Sequence, residues 1–248
     1  MKAAGEEGGG CFPTGRHYPG IAHLLRIVAQ GLIDGIDAGT AVTDLPLVSI
    51  DTETTGRDFA VDRVVEIALV VWDRGEVTAR HRWLVNPARP IPKEAFDVHG
   101  ISDDAVKDMP PFSAVAGEIL AALEGKVPLA YNAEFDRLFL HEELGRAGIA
   151  GRTLPPAARR GIEWVDPLTW ARELQKEEKS RALTDVAERL GVALEKAHSA
   201  VHDAEAAVRI LDRFFSDSRV PKTYGAFIQE QKRLGRMHDE ERQYWRRG

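Results

Sequence analysis

The stretch LVSIDTETTG, residues 47–56, decides the fold. A mostly apolar start runs into a polar end and a Thr-Gly turn, the reading of a strand that leaves the interior at its carboxyl end. Strand side chains alternate faces, so Asp51 and Glu53 point the same way. Two carboxylates side by side repel unless a cation lies between them. Hard oxygen donors of this kind suit Mg²⁺ or Mn²⁺. Asp-x-Glu alone is common, and a polar strand terminus is the simpler account of it in isolation.

Outward from this strand the pattern stays α/β. Residues 64–73 form a near-continuous apolar run interrupted by Glu66, as in a central strand covered on both faces. Arg74-Gly75 turns the chain, and residues 76–85 return as an antiparallel partner. Apolar residues recur at helical spacing over 112–123. Residues 127–131 read as a short buried strand followed by a helix from about Ala133 to Arg146. Trp164 and Val165 suggest one more strand end, and helices are predicted near 167–175, 183–190 and 200–215. Strands with hairpin links, followed by alternating strand and helix, predict a mixed sheet flanked by helices.

Two further groups of residues carry chemistry. Asn132-Ala-Glu-Phe-Asp136 follows a strand and opens a helix, and sites in α/β sheets gather at the carboxyl ends of strands. The simpler account is an Asn132 N-cap with acids favouring the helix dipole. His198-Ser-Ala-Val-His202-Asp203 places Asp203 in the first turn of a helix and His198 in the loop before it. A loop His and a helix Asp at this spacing can converge on one site. The simpler account is a helix-terminal Asp with two solvated histidines. A rival reading takes His202-Asp203 as the paired ligands of a helical HD-type phosphohydrolase, which leaves Asp51 and Glu53 without a role.

Taken in order, Asp-x-Glu, Asn-x-x-x-Asp and His-x4-Asp resemble the DEDDh family of 3′→5′ exonucleases. DTETTG, VVEIALV, VHGISDDAV and NAEFD are all similar to the proofreading (epsilon-type) exonucleases of bacterial replicative polymerases, over roughly residues 47–215. The His-x4-Asp spacing matches the His branch of the family rather than the Tyr branch. The resemblance implies a ribonuclease H-like mixed five-stranded sheet flanked by helices. It implies that Asp51, Glu53, Asp136 and Asp203 hold two Mg²⁺ or Mn²⁺ ions and that His198 is the general base. Thr52 and Thr54 would contact the terminal nucleotide, Val98 and His99 would line its pocket, and Asn132 would shape the site. The substrate implied is a nucleic acid with a 3′ end, DNA ahead of RNA. A non-catalytic binding subunit on the same fold is the alternative from another class, but all five site residues are present. Physics supports the roles separately. Two metals activate a water and support the departing 3′ oxygen of a phosphodiester, and a His with a pKa of about 6.5 is suited to take a proton near pH 7.

The remaining features bound the reading. With 248 residues, one domain with extensions is expected. Residues 1–45 read as an N-terminal extension: a Gly-rich disordered stretch, then an amphipathic helix over Ile21–Ile36. Residues 46–216 form the exonuclease domain, and residues 217–248 an exposed, polar, basic tail or helix. That tail lacks a convincing sliding-clamp motif, so both association with a DNA polymerase and a stand-alone enzyme stay open. The longest apolar run, Ile67 to Trp72, is far shorter than the ~20 residues a spanning helix needs, so no membrane partner is expected. No signal peptide is recognised, and the single cysteine cannot form an internal disulfide, which favours the cytoplasm. The net charge of −6 argues against nucleic acid only weakly, because two divalent cations would move it to about −2. Glu66 needs a partner if buried. His202 points away from Asp203's side of its helix and is not expected to be catalytic. His17, His23, His81, His141 and His238 read as surface residues, and Trp83 or Trp164 as core residues that could stack a base.

Overall fold

The computed structural model describes residues 31–151, 154–194 and 199–247. Of the helix expected over Ile21–Ile36, residues 21–30 lie outside the described residues, and 31–36 form turns.

Four strands make one mixed sheet: β1 (Leu47–Thr54), β2 (Val64–Asp73), β3 (Glu76–Leu84) and β4 (Val127–Leu129), in spatial order β3-β2-β1-β4. β1 runs antiparallel to β2 and parallel to β4. The β2–β3 hairpin closes on Arg74 (φ 47°) and Gly75 (φ 89°). Two consecutive positive-φ residues give the turn whose twist matches that of the flanking strands. The expected fifth strand is reduced to a single parallel bridge from Leu129 to Val165. Pro167 begins a helix two residues later, so the backbone leaves the sheet before a ladder can extend.

Eight helices are described: α1 (Lys93–His99), α2 (Asp103–Val106), α3 (Phe112–Leu123), α4 (Glu134–Arg146), α5 (Pro167–Leu174), α6 (Leu183–Arg189), α7 (Ala200–Phe215) and α8 (Tyr224–Arg247). α7 lies across β1, β2 and β3, while α3 and α4 lie against β2 and β1. Strand alternation sorts the sheet residues between these layers. Register pairs Asp51 with Ala68 and Glu53 with Glu66, so these share one face. Val48, Ile50 and Thr52 point to the other. α1 and α2 were not read from sequence, since each is short and α1 buries none of its residues.

The C-terminal segment corrects the sequence reading of an exposed tail. α8 buries Tyr224, Phe227, Ile228, Gln231, Leu234 and His238, and packs on α5. Phe227 stacks on Trp170 at 4.7 Å and meets Phe215 edge-on at 5.8 Å. The Tyr224 hydroxyl accepts the Ile33 amide, and Gln231 spans Trp164 and Asp166 with both ends of its amide. The apolar residues at 224, 227, 228 and 234 keep helical spacing, but polar neighbours mask it in the average composition.

Phe227→Ala should cost about 3–5 kcal/mol, the usual loss for truncating a buried Phe, while Tyr244→Ala at the exposed end should stay within ~0.5 kcal/mol. Urea unfolding followed by tryptophan fluorescence measures both. An unchanged midpoint for Phe227→Ala would separate α8 from the core.

Candidate active site

The site is built where β1 ends. Asp51 and Glu53 project from it toward α7, and Asp203 reaches them from the first turn of that helix. One ligand oxygen from each of the three lies within 4.8 Å of the others. α7 can approach this closely because of its stripe: Ala200, Ala204 and Ala207 are buried against the sheet, followed by Val208, Leu211 and Phe215. Asp203 occupies the same stripe, one turn from Ala200 and Ala207. The Ser199 carbonyl accepts the amides of His202 and Asp203 (2.8 and 3.0 Å), which fixes that first turn.

Asp136 arrives from the opposite layer. It lies in the first turn of α4, is 3% exposed, and its Oδ1 accepts both the amide (2.9 Å) and the hydroxyl (2.7 Å) of Thr52. Thr52 lies between Asp51 and Glu53 in sequence but faces the other way. One strand therefore presents two carboxylates on one face and a clamp for a third acid on the other. Thr52 also lines the cleft beside Glu53, while its hydroxyl and amide are committed to Asp136.

These acids share an unfavourable field. Burial, then the charges of Asp136, Asp203, Glu53 and Glu66, push Asp51 well above the usual carboxylate range. Burial, then Asp203, Glu66 and Asp136, raise Glu53 to about 8. Burial raises Asp136 to about 7 against the hydrogen bonds from Thr52, which favour its ionised form. Glu66 lies opposite Glu53 in the ladder and is 2% exposed. Its partner is Arg82 at 2.6 Å, the diagonal neighbour on β3. Arg82 thus neutralises the buried carboxylate next to the cluster, not the cluster itself. Oxygen donors this close and this reluctant to ionise together suit a hard divalent cation.

A cleft of about 550 Å³ opens beside Glu53, between Thr52–Arg57 and the α1 residues Glu94, Ala95, Val98 and His99, with Phe135 alongside. His99 Nδ1 accepts the Ile101 amide (3.0 Å), so Nε2 carries the ring proton. Burial holds this imidazole below its ordinary pKa, hence neutral at pH 7. Val98 is half exposed and forms an apolar wall. The Thr54 hydroxyl turns inward to the Gly56 carbonyl. Gly56 leaves room for Asp62: a Cβ there would come within 2.3 Å of the carboxylate, which would have to shift. Asp62 takes the Thr55 hydroxyl and the Asp58 amide and so shapes the loop after β1. That loop is tied to α4 through Glu143, which is 1% exposed and binds Arg63 at 2.7 Å and Arg146 at 3.1 Å.

Several expectations change. Asn132 is not the side-chain N-cap of α4; it takes a left-handed conformation (φ 66°), and its amide is held by Asp166 at 3.0 Å. This left-handed turn ends β4 and starts α4. Trp164 is 2% exposed with its Nε1–H on the Ala157 carbonyl, so it cannot stack a base. Trp83 lies on the β3 face away from the acids and donates to Glu118. His238 is buried rather than on the surface. Asp203 groups with Asp51 and Glu53 on a mixed sheet, which removes the helical HD-type reading. His198, His17 and His23 lie outside the described residues. The Thr52–Asp136 clamp and the Asp166 contact were not read from sequence. Asp136, Phe139, Leu140, Glu143 and Leu144 do keep core spacing along α4, and an acid on such a stripe is the signal that was available.

The comparisons with known proteins agree with this geometry. A family model described as an exonuclease, RNase_T, matches residues 48–211. The DNA polymerase III PolC-type protein of Streptococcus suis is 30% identical over 215 residues, covering 84% of this chain but 14% of the relative. The Thermotoga maritima counterpart is 28% identical over 199 residues, covering 79% and 14%. This chain thus spans a small part of those relatives. Among solved structures, the nuclease domain of 3′hExo, a DEDDh family member bound to rAMP, aligns with TM-score 0.60 at 19% identity, covering 72% of this chain and 96% of that one. The E. coli ExoI–ssDNA complex aligns with TM-score 0.61 at 18% identity, covering 71% and 41%. With the acids gathered at the end of β1 and the family model spanning residues 48–211, the chain belongs to the RNase_T exonuclease family.

Proposed function

We propose that this exonuclease acts on DNA, releasing mononucleotides from the 3′ end, with Asp51, Glu53, Asp136 and Asp203 holding two Mg²⁺ or Mn²⁺ ions and His198 as general base. The observation that carries it is the convergence of Asp51, Glu53 and Asp203 oxygens within 4.8 Å. Bound divalent cations supply an activated water and a neutralised phosphoryl oxygen. The chain's own groups do the rest. Thr52 holds Asp136 through Oδ1 and so fixes the carboxylate whose charge is felt by Asp51 and Glu53. His99 lines the cleft as a neutral ring fixed between the Ile101 amide and the Thr54 backbone. Val98 and Phe135 shield one side of the cleft, whose volume suits one nucleotide rather than a duplex end. Unpairing a terminal base carries an energetic cost that is least at a frayed or mismatched end. Single strands should therefore be cut first, mismatched ends next and paired ends slowest.

The PolC-type relatives favour DNA as the substrate. RNA is the second reading, because one structural neighbour is bound to rAMP. A cytoplasmic setting fits a chain with one cysteine and, among the described residues, no helix long and apolar enough to cross a membrane. Association with a polymerase is a further proposal, to be read from co-purification.

A 5′-labelled oligonucleotide should give a descending ladder, and a 3′-blocked one should resist. Rapid cleavage of a circular single strand contradicts the assignment, and faster attack on matched RNA moves it to the second reading. His198→Ala should lower kcat by about 10²–10⁴-fold, with His202→Ala mild; the reverse order would re-register the motif.

Asp51→Asn should abolish hydrolysis yet leave the metal-free protein as stable as wild type or more so near pH 8, since it removes one repelling charge. Metal-free wild type should lose stability as pH rises. Glu53 keeps a proton up to about pH 8 when folded, whereas its ordinary value is 4.5. Between these values the folded state binds more protons than the unfolded one, so stability falls with pH. Melting at pH 5.5 and 8, with EDTA or with 5 mM Mg²⁺, should show a drop in EDTA that Mg²⁺ largely cancels. A stability that rises with pH in EDTA would refute the crowding of these acids.

A further inference from the structure

A second cleft, of about 660 Å³, lies between α5 and α8 and gathers positive charge. Arg172 and Lys176 line it from α5 and the turn after it, Arg181 from the approach to α6, and Arg233, His238 and Arg242 from α8. Glu173 and Glu241 are the opposing carboxylates. Arg233 and Arg242 are matched within α8 by Glu230 and Asp239. Arg172 has no ion pair among the described residues. It is half-buried; burial and the neighbouring Arg242 work against its charge, and Asp166, Tyr131 and Asp239 work for it without a direct ion pair. Two more groups are left wanting: Arg181 Nε and His238 Nδ1 are buried without a hydrogen-bond partner, and His238 is 8% exposed.

A guanidinium stays ionised at any ordinary pH, and a buried charge or polar group without a partner is costly. Arg181 also donates to the Lys176 carbonyl, so the case for an anion rests on Arg172 and on the excess of Arg and Lys over Glu around the cleft. The cleft is bonded to the same turn that delivers Asp136: the Tyr131 hydroxyl donates to the Arg181 carbonyl (2.6 Å), and Asp166, six residues before Arg172, holds the Asn132 amide. An adjoining hollow holds Arg137, Lys232 and Arg236 together with Glu134, Glu163, Asp166 and Asp239, so it adds no net positive charge and the cationic stretch is that of the α5–α8 cleft itself. Cations spread over successive turns match a chain of phosphates better than one small anion. α8 begins beyond residue 211, where the exonuclease family model stops.

We propose that the α5–α8 cleft binds backbone phosphates of the substrate strand outside the catalytic cleft and so sets the affinity for long strands. This rests on the reading of the chain as a nuclease for polynucleotide 3′ ends.

The test compares the full chain with its Arg172→Gln/Lys176→Gln/Arg242→Gln variant. Anisotropy of 5′-fluorescein oligothymidylates of 3 and 25 nucleotides is followed in EDTA, so that nothing is cut. The 25-mer should bind at least tenfold more weakly to the variant, and the 3-mer within twofold of wild type. The slope of log K against log salt should be shallower by about 2, since each phosphate neutralised on a single strand adds ~0.7 to it. Arg172→Lys should keep most of the 25-mer affinity, and kcat/KM on a thymidine dinucleotide with Mg²⁺ should stay within twofold for all variants. Unchanged 25-mer affinity and salt slope, or equal weakening on the 3-mer and 25-mer, would overturn the cleft's role. Wild type that leaves the dinucleotide uncut defeats the nuclease reading instead, while the cleft is judged on binding alone.

Discussion

Repulsion among carboxylates is the force that the rest of this structure manages. At about 4 Å two like charges repel by ~4 kcal/mol at the effective dielectric of a protein surface, and here three acids from two elements bring oxygens within 4.8 Å. A flexible scaffold would relax by turning the side chains out to water. This one prevents that on two sides. Strand alternation holds Asp51 and Glu53 on the same face, and the alanines of α7 let the helix backbone come close enough to aim Asp203 at them. The sheet around them supplies the stability, with Val48, Ile50, Val65, Ile67, Ala68, Leu69 and Val70 almost wholly buried.

The same helix, α4, shows that a buried acid acquires its role from its surroundings. Asp136 and Glu143 lie two turns apart on one buried stripe. Glu143 meets two guanidiniums, Arg63 and Arg146, and fastens the loop after β1. Asp136 meets only neutral donors from Thr52 and other acids nearby, so its charge is oriented but not cancelled. Glu66 is the intermediate case: close enough to raise Asp51 and Glu53, yet neutralised by Arg82. Cations of the chain pair with the structural acids Glu143 and Glu66, while Asp51 and Glu53 are raised by burial and by their acidic neighbours, the arrangement expected where a metal ion is to be the counter-charge.

How far the sequence foretold this follows from the range of each interaction. Period-2 and period-3.6 patterns are local, and between residues 64 and 215 the strands β2 to β4 and the helices read from them lie within about two residues of those found, whereas residues 31–36 of the helix expected over Ile21–Ile36 form turns. Asp51, Glu53 and Asp203, which the fold brings together, were singled out by their place at a strand end and a helix start and by the order of the motifs, as was Asp136. Long-range pairings were not. Nothing local says that Thr52 clamps an acid 84 residues away, that the fifth strand shrinks to one bridge, or that Gln231 closes α8 onto Trp164 and Asp166. The basic tail misled for a related reason: its charge is real, but every third or fourth residue of its first half is apolar or amide and finds the core. His198 lies outside the described residues, so its place rests on the motif alone.

Charge is also separated across the molecule in a way that net charge hides. A chain carrying −6 should repel a polyanion. The acids that the substrate must approach are crowded at the end of β1, where bound cations would reverse the local sign. The guanidiniums at the α5–α8 cleft stand apart from that cluster, so they do not compete with metal for its carboxylates. An arginine placed among Asp51, Glu53 and Asp203 would relieve the same repulsion as a metal, but permanently, and would occupy the position proposed for the scissile phosphate. Keeping the cluster short of positive charge therefore makes the metal-free protein less stable and keeps the site open, which is the same trade that raises Glu53 to about 8.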